Sequence, residues 1–137
     1  MSLVPTDIKL NQTSRVLTIR FDETSVFKLP CEFLRVHSPS AEVKGHGEGQ
    51  EVLQLHKEEV NITAIEPVGH YAVKLVFDDK HDSGLYSWGL LHNLGENRAR
   101  LWAAYLDKLS ENGIVRHSQT SDVLLGSDED KIIQPQS

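Results

Sequence analysis

The N-terminal quarter of the chain alternates between apolar and polar side chains. In Thr6–Leu10, Ile8 and Leu10 fall on one side. In Val16–Phe21, Leu17, Ile19 and Phe21 face one way, and Thr18 and Arg20 the other; Phe27 and Leu29 repeat the pattern in Ser25–Leu29. A period of two sets one face of a strand against a core. Asn11–Ser14 and Asp22-Glu23-Thr24 separate these segments with side chains that bond their own backbone and favour turns. The pattern predicts a three-stranded antiparallel meander. Pro30 ends its last strand, because proline donates no ladder hydrogen bond. It then opens one or two helical turns over Cys31–Val36, with Phe33 and Leu34 inward.

Regular patterning breaks at His37-Ser38-Pro39-Ser40, and the segment Gly45–Gly49 has the glycine content of a loop. Asn61–Glu66 and Tyr71–Phe77 then read as a hairpin around Pro67-Val68-Gly69-His70, with Tyr71, Val73, Leu75 and Phe77 on one face. Asp78–Asp82 reads as a solvated polar turn, and Ser83–Tyr86 as a third short strand. Ser87 is placed to cap a helix carrying Trp88, Leu91 and Leu94, which Gly95 stops. A second helix follows over Glu96–Glu111. Its stripe is Leu101, Tyr105 and Leu109, flanked by Trp102 and Leu106, with Arg98, Arg100, Asp107 and Lys108 outside it. From about Arg116 the pattern dissolves. Ser118–Ser137 reads as a flexible tail holding Val123-Leu124-Leu125 and the acidic run Asp128-Glu129-Asp130. The expected architecture is α+β over residues 6–115: an N-terminal meander, a hairpin unit, and a C-terminal pair of amphipathic helices, followed by a polar tail over 116–137.

Composition narrows the class. With 39% hydrophobic and 25% charged residues in 137, the chain holds enough apolar surface for one packed domain. No apolar run approaches the ~18–20 residues that span a bilayer, and no basic start with an apolar core marks a secretion signal. The single cysteine, Cys31, cannot form an internal disulfide, which fits a reducing, cytoplasmic setting. A net charge of −6 gives no global attraction to nucleic acid or to an anionic membrane.

Seven histidines raise the question of a metal. His46-Gly47-Glu48 has the form of half a facial triad, two histidines and one carboxylate around iron(II), with His70, His81, His92 or His117 left to complete it. The spacing selects none of them, and a loop histidine without metal is the plainer reading. Asp78, Asp79 and Asp82 could offer oxygens to a hard cation, but Lys80 sits among them and no calcium-loop pattern is present. Cys31 at the start of a helical turn could be a lowered-pKa thiol, although a lone cysteine is more often a packed residue. No phosphate-loop, dinucleotide or nucleophile-elbow motif occurs, and Ser38, Ser40 and Ser87 have turn or cap explanations. Trp88, Trp102 and Tyr105 recur at helical spacing and read as core rather than as an aromatic cage.

Several segments together resemble one family. They are Leu29-Pro30; Phe33 through Val43, with its Ser-Pro-Ser-Ala-Glu-Val run; Gly45-His46-Gly47; Ile65-Glu66-Pro67-Val68-Gly69; and Asp78 through Trp88, with its His-Asp-x-Gly-x-Tyr-Ser-Trp run. Over about Thr6–Gly113 the chain resembles the gamma-butyrobetaine hydroxylase-like N-terminal domain in its stand-alone bacterial form. The resemblance implies a small α+β domain. Related domains precede the catalytic domain of carnitine-pathway 2-oxoglutarate oxygenases, where they hold structural zinc through three cysteines and a histidine and assist dimerisation. A similar domain ends a plastid P-loop scaffold ATPase that handles iron–sulfur clusters. Here the three cysteine positions hold Ser38, Ser40 and Val43, and only the histidine matches, at His81. Zinc in the family's manner is therefore not expected. The retained polar cluster, His37, Ser38 and Ser40 near His46 and His81, could hold a different ligand; alternatively, hydrogen bonds take over the metal's structural work.

The resulting expectation is a non-catalytic binding or adaptor module presenting Arg35–Gln50 and Asp78–Gly84. The face would comprise His37, Ser38, Ser40, His46, Asp79, His81, Asp82 and Trp88. Its partner would be a protein, such as an oxygenase or an iron–sulfur assembly factor, or a second copy of the chain. The alternative is a protein holding iron or zinc through His37, His46 and His81. A third reading makes His81, with Asp79 or Asp82, a general base.

Overall fold

The structure is a computed structural model that describes residues 4–40, 43, 52–82 and 84–116. The N-terminal meander is present: β1 (Asp7–Asn11), β2 (Val16–Arg20) and β3 (Val26–Pro30) form an antiparallel sheet in that order. Leu17 opposes Leu10 and Leu29, and Ile19 opposes Ile8 and Phe27, so the predicted apolar faces coincide. Pro30 is not beyond the sheet but its last residue, opposite Val16. It can be there because β3 is an edge strand, where one side of the backbone needs no partner. Cys31–Val36 forms α1 directly after it.

All six residues of α1 are buried, Glu32 and Arg35 included. A six-residue helix has little stability alone. It is held by partners distant in sequence, and a buried carboxylate and guanidinium require paired charges. Arg116 supplies one, donating to both oxygens of Glu32 at 2.9 and 2.7 Å with its guanidinium 5.1 Å over the Trp102 ring.

The second sheet is β4 (Ile62–Val68), β5 (Ala72–Phe77) and β6 (Leu85–Ser87), again antiparallel in chain order. Val73, Leu75 and Phe77 face the core with Ile62 and Tyr86. Tyr71 does not share that face. It stands in the turn before β5 and is 63% exposed. The two sheets meet where Gln12 donates to the Ile62 carbonyl and Asn61 to the Gln12 carbonyl, at 3.0 and 2.9 Å.

Ser87 caps α2 (Trp88–Glu96) by accepting from the Leu90 N–H. After one linking residue, α3 (Arg98–Glu111) begins. Its buried residues are Trp102, Tyr105 and Leu109, while Leu101 and Leu106 are only partly covered, so the stripe is rotated toward Trp102. Arg98, predicted outside the stripe, reaches the Lys28 carbonyl of β3 and ties the helix to the first sheet. Gly95 does not stop the helix, which runs on to Glu96; it is needed for close packing, since a Cβ there would lie 2.3 Å from the Phe27 ring. Among the described residues no helix is long and apolar enough to cross a membrane. The tail predicted over 116–137 begins one residue too early: Arg116 belongs to the folded domain through its bonds to Glu32, while residues 117–137 and the glycine loop with His46 lie outside the described residues.

Candidate functional site

The two segments singled out by their motifs lie against one another. Ser38 is fully buried, and its Oγ meets His81 Nε2 at 2.9 Å while accepting the Ser40 N–H at 3.2 Å. A Cβ on Gly84 would stand 2.5 Å from the same Oγ, so a side chain there would displace the serine. Tyr86, also fully buried, donates its hydroxyl to the Leu34 carbonyl at 2.6 Å. Burial drives the Tyr86 phenol far above its ordinary pKa, which keeps the hydroxyl a donor.

Asp79 completes the clamp. Its Oδ2 accepts from Arg35 Nε at 2.9 Å and from Lys57 Nζ at 2.7 Å, and its Oδ1 accepts the His81 backbone N–H at 3.2 Å. Burial acts to raise this carboxyl's pKa. The bonds and charges of Lys57 and Arg35 outweigh it and hold the group below the usual carboxylate range. Arg35 also donates to Gln54 Oε1 at 3.1 Å, and the Gln54 carbonyl accepts the Tyr105 hydroxyl at 2.7 Å, which links α1 to α3. Position by position, Asp79, His81, Gly84 and Tyr86 contact Arg35, Ser38, Ser38 and Leu34.

This corrects the reading of Asp78–Asp82 as a uniformly solvated turn. The turn is tight, closed by Phe77 N–H to His81 O at 3.0 Å with Lys80 left-handed at φ 72°, and His81 is 3% exposed. Asp78, Lys80 and Asp82 are exposed on its outside. The general-base arrangement is not what the geometry shows: Asp79 accepts the His81 backbone N–H and pairs with two cations, and Asp82 faces solvent.

The remaining candidates are dispersed. His37 follows α1, donates Nδ1–H to the Phe33 carbonyl at 2.9 Å, and packs on the Phe33 ring. Trp88 is half-buried and donates its indole N–H to the His70 carbonyl at 2.8 Å, bracing the β5–β6 end rather than forming a cage. Ser40 and Val43 are buried close to Ser38 in the chain, with the Val43 N–H on the Ser40 carbonyl at 3.0 Å. Hydroxyls and an isopropyl group do not fit a thiolate zinc site, and the Ser38 oxygen is already engaged. Among the described residues, no group of three His, Cys, Asp or Glu is placed to hold a metal. Cys31 is fully buried, and burial pushes its thiol up to about 12 rather than activating it.

A cleft of about 390 Å³ lies beside the clamp. Its walls include Val36, Val43, Leu53, Leu94, Leu101 and Tyr105, with Asn93 and Lys108 toward solvent.

Comparison with known proteins places this arrangement. The family model described as gamma-butyrobetaine hydroxylase-like, N-terminal, matches residues 8–92. The chain belongs to that family. Both clamped segments fall within the match. Two proteins with NMR solution structures share 48% and 53% identity with the chain. They cover 85% of it and 91% and 87% of themselves, at TM-scores of 0.74 and 0.72. A crystal structure of a DUF971-family protein of unknown function from Acidithiobacillus ferrooxidans shares 33% identity, covering 66% of this chain and 91% of its own, at a TM-score of 0.56. No functionally curated protein matches.

Sequence reasoning did not single out Arg35, Gln54, Lys57, Gly84 or Tyr86. Arg35, Gly84 and Tyr86 stood inside the motifs that carry the family resemblance, which is the signal the sequence offered for them. Gln54 and Lys57 sit in an unpatterned stretch that gives no signal.

Proposed function

We propose that the chain is a non-catalytic protein-binding module whose recognition face is the outer side of the clamped segments Arg35–Ser40 and Asp78–Gly84. The observation carrying this reading is the Ser38–His81 contact together with the Arg35–Asp79–Lys57 ion pairs, which engage the polar groups of the two segments with one another. Among the described residues of the turn, the side chains of Lys80 and Asp82 are exposed on the outside, held on a tightly bonded base. A recognition turn ordered before binding loses little conformational entropy when a partner docks. The family context favours a protein partner, an oxygenase or an iron–sulfur assembly factor, or a second copy of this chain.

The test is capture from native lysate, using wild type, a charge-reversed turn (Lys80→Glu with Asp82→Lys) and a control at another exposed turn (Glu23→Ala). A partner lost only with the reversed turn supports the reading. Identical partners for all three overturn it. Stoichiometric iron or zinc in protein purified without a histidine tag would also overturn it, in favour of a centre using His37, His46 and His81.

A further inference from the structure

The cleft beside the clamp shares Val36, His37 and Ser38 with the clamped segment, but the binding face just described uses the outer side of the Asp78–Asp82 turn and leaves the cleft itself unassigned. At about 390 Å³ it lies near the lower end of the ~300–1,000 Å³ usual for ligand sites, room for a few aliphatic side chains. Val52 on its wall is 51% exposed, so an apolar strip is open to an occupant. We propose that the chain's own segment Val123-Leu124-Leu125 occupies this cleft in cis.

The first argument is where the described chain ends. Arg116 is fixed by Glu32 in the first turn of α1, whose last residue, Val36, is part of the cleft wall. The Arg116 guanidinium lies 5.1 Å from the Trp102 ring, and that ring lies 5.4 Å from the ring of Tyr105, another wall residue. The described chain therefore ends beside the cleft.

The second argument is length. Residues 117–122 can span up to roughly 20 Å when extended, well beyond those ring separations. The third is chemistry. Residues 117–137 contain two apolar runs, Val123-Leu124-Leu125 and Ile132-Ile133. The first is longer, and closing the shorter loop to it loses less entropy. Asp122 precedes it, opposite in charge to the exposed Lys108 at the cleft margin.

The experiment uses the full chain and methyl NMR, and needs no partner, so its outcome is independent of the binding-module reading. Wild type is compared with Leu124→Asp/Leu125→Asp and with Ile132→Asp/Ile133→Asp. The expected result is a set of nuclear Overhauser contacts from Leu124 and Leu125 methyls to Leu94, Leu101 and Ala104. These contacts and the associated shifts are lost in the first variant and kept in the second, with Leu17 and Ile19 unmoved in both. Cleft resonances identical in wild type and the first variant overturn the proposal. So does loss in the second variant. A dependence of the contacts on protein concentration also overturns it, because it would seat the segment in a neighbouring copy.

Discussion

Asp79→Asn replaces one atom, yet it should loosen the joint between the two motif segments. The amide keeps an oxygen that can still accept the His81 N–H. It then sets an N–H where Arg35 and Lys57 both need an acceptor. The Arg35 side chain is 8% exposed and Asp79 and Lys57 are 23% and 22% exposed, so the cluster lies between two regimes. Exposed ion pairs contribute about 0–1 kcal/mol, and breaking buried ones costs about 3–5 kcal/mol. The expected loss is about 2–3 kcal/mol, which for a domain of this size lowers Tm by roughly 6–12 °C. The sign of the pH dependence follows from the depressed carboxyl. Its stabilisation is complete above the unfolded-state pKa and is lost as pH falls through the lower folded-state value. Urea melts of wild type should therefore weaken in acid, below about pH 4. The variant, already lacking the carboxylate, should show a shallower fall. The decisive assay is a double-mutant cycle with Arg35→Met at neutral pH. A coupling energy near zero, or a single-variant loss under about 0.5 kcal/mol, would refute the clamp.

Tyr86→Phe removes the hydroxyl that bonds the Leu34 carbonyl and should cost about 1–2 kcal/mol in a urea melt, with no change of fold by circular dichroism. Gly95→Ala and Gly89→Ala should diverge in thermal melts. The first drives a Cβ into the Phe27 ring and loses about 1–3 kcal/mol despite better helix propensity, whereas the second meets open space and gains up to about 1 kcal/mol. Cys31, with its thiol pushed up to about 12, should react with a thiol reagent at pH 8 only as fast as the chain opens, and at an ordinary cysteine rate in denaturant. Arg116→Ala, which strips the buried Glu32 of its bidentate partner, should cost about 3–5 kcal/mol by denaturant melt.

Much of this fold is local and therefore legible in the chain. The two meanders follow from period-two patterning, the α2 start from Ser87, and the helix pair from the Leu91, Leu94, Tyr105 and Leu109 spacing, because each depends on neighbours within a turn or a hairpin. The family motifs were equally visible, and with them the exchange of three cysteine positions for Ser38, Ser40 and Val43. Burial of charge was not visible. Glu32 and Arg35 on α1 carry no local sign that Arg116 and Asp79, 84 and 44 positions away, will cover them. Nor does the polar run Asp78–Asp82 show that its histidine turns inward onto Ser38 and Asp79 onto Arg35 and Lys57, while Asp78 and Asp82 stay exposed. The sequence determines which segments become strands and helices, since that choice rests on short-range geometry. Only the tertiary structure decides which polar groups leave water, since that depends on a partner arriving from elsewhere in the chain.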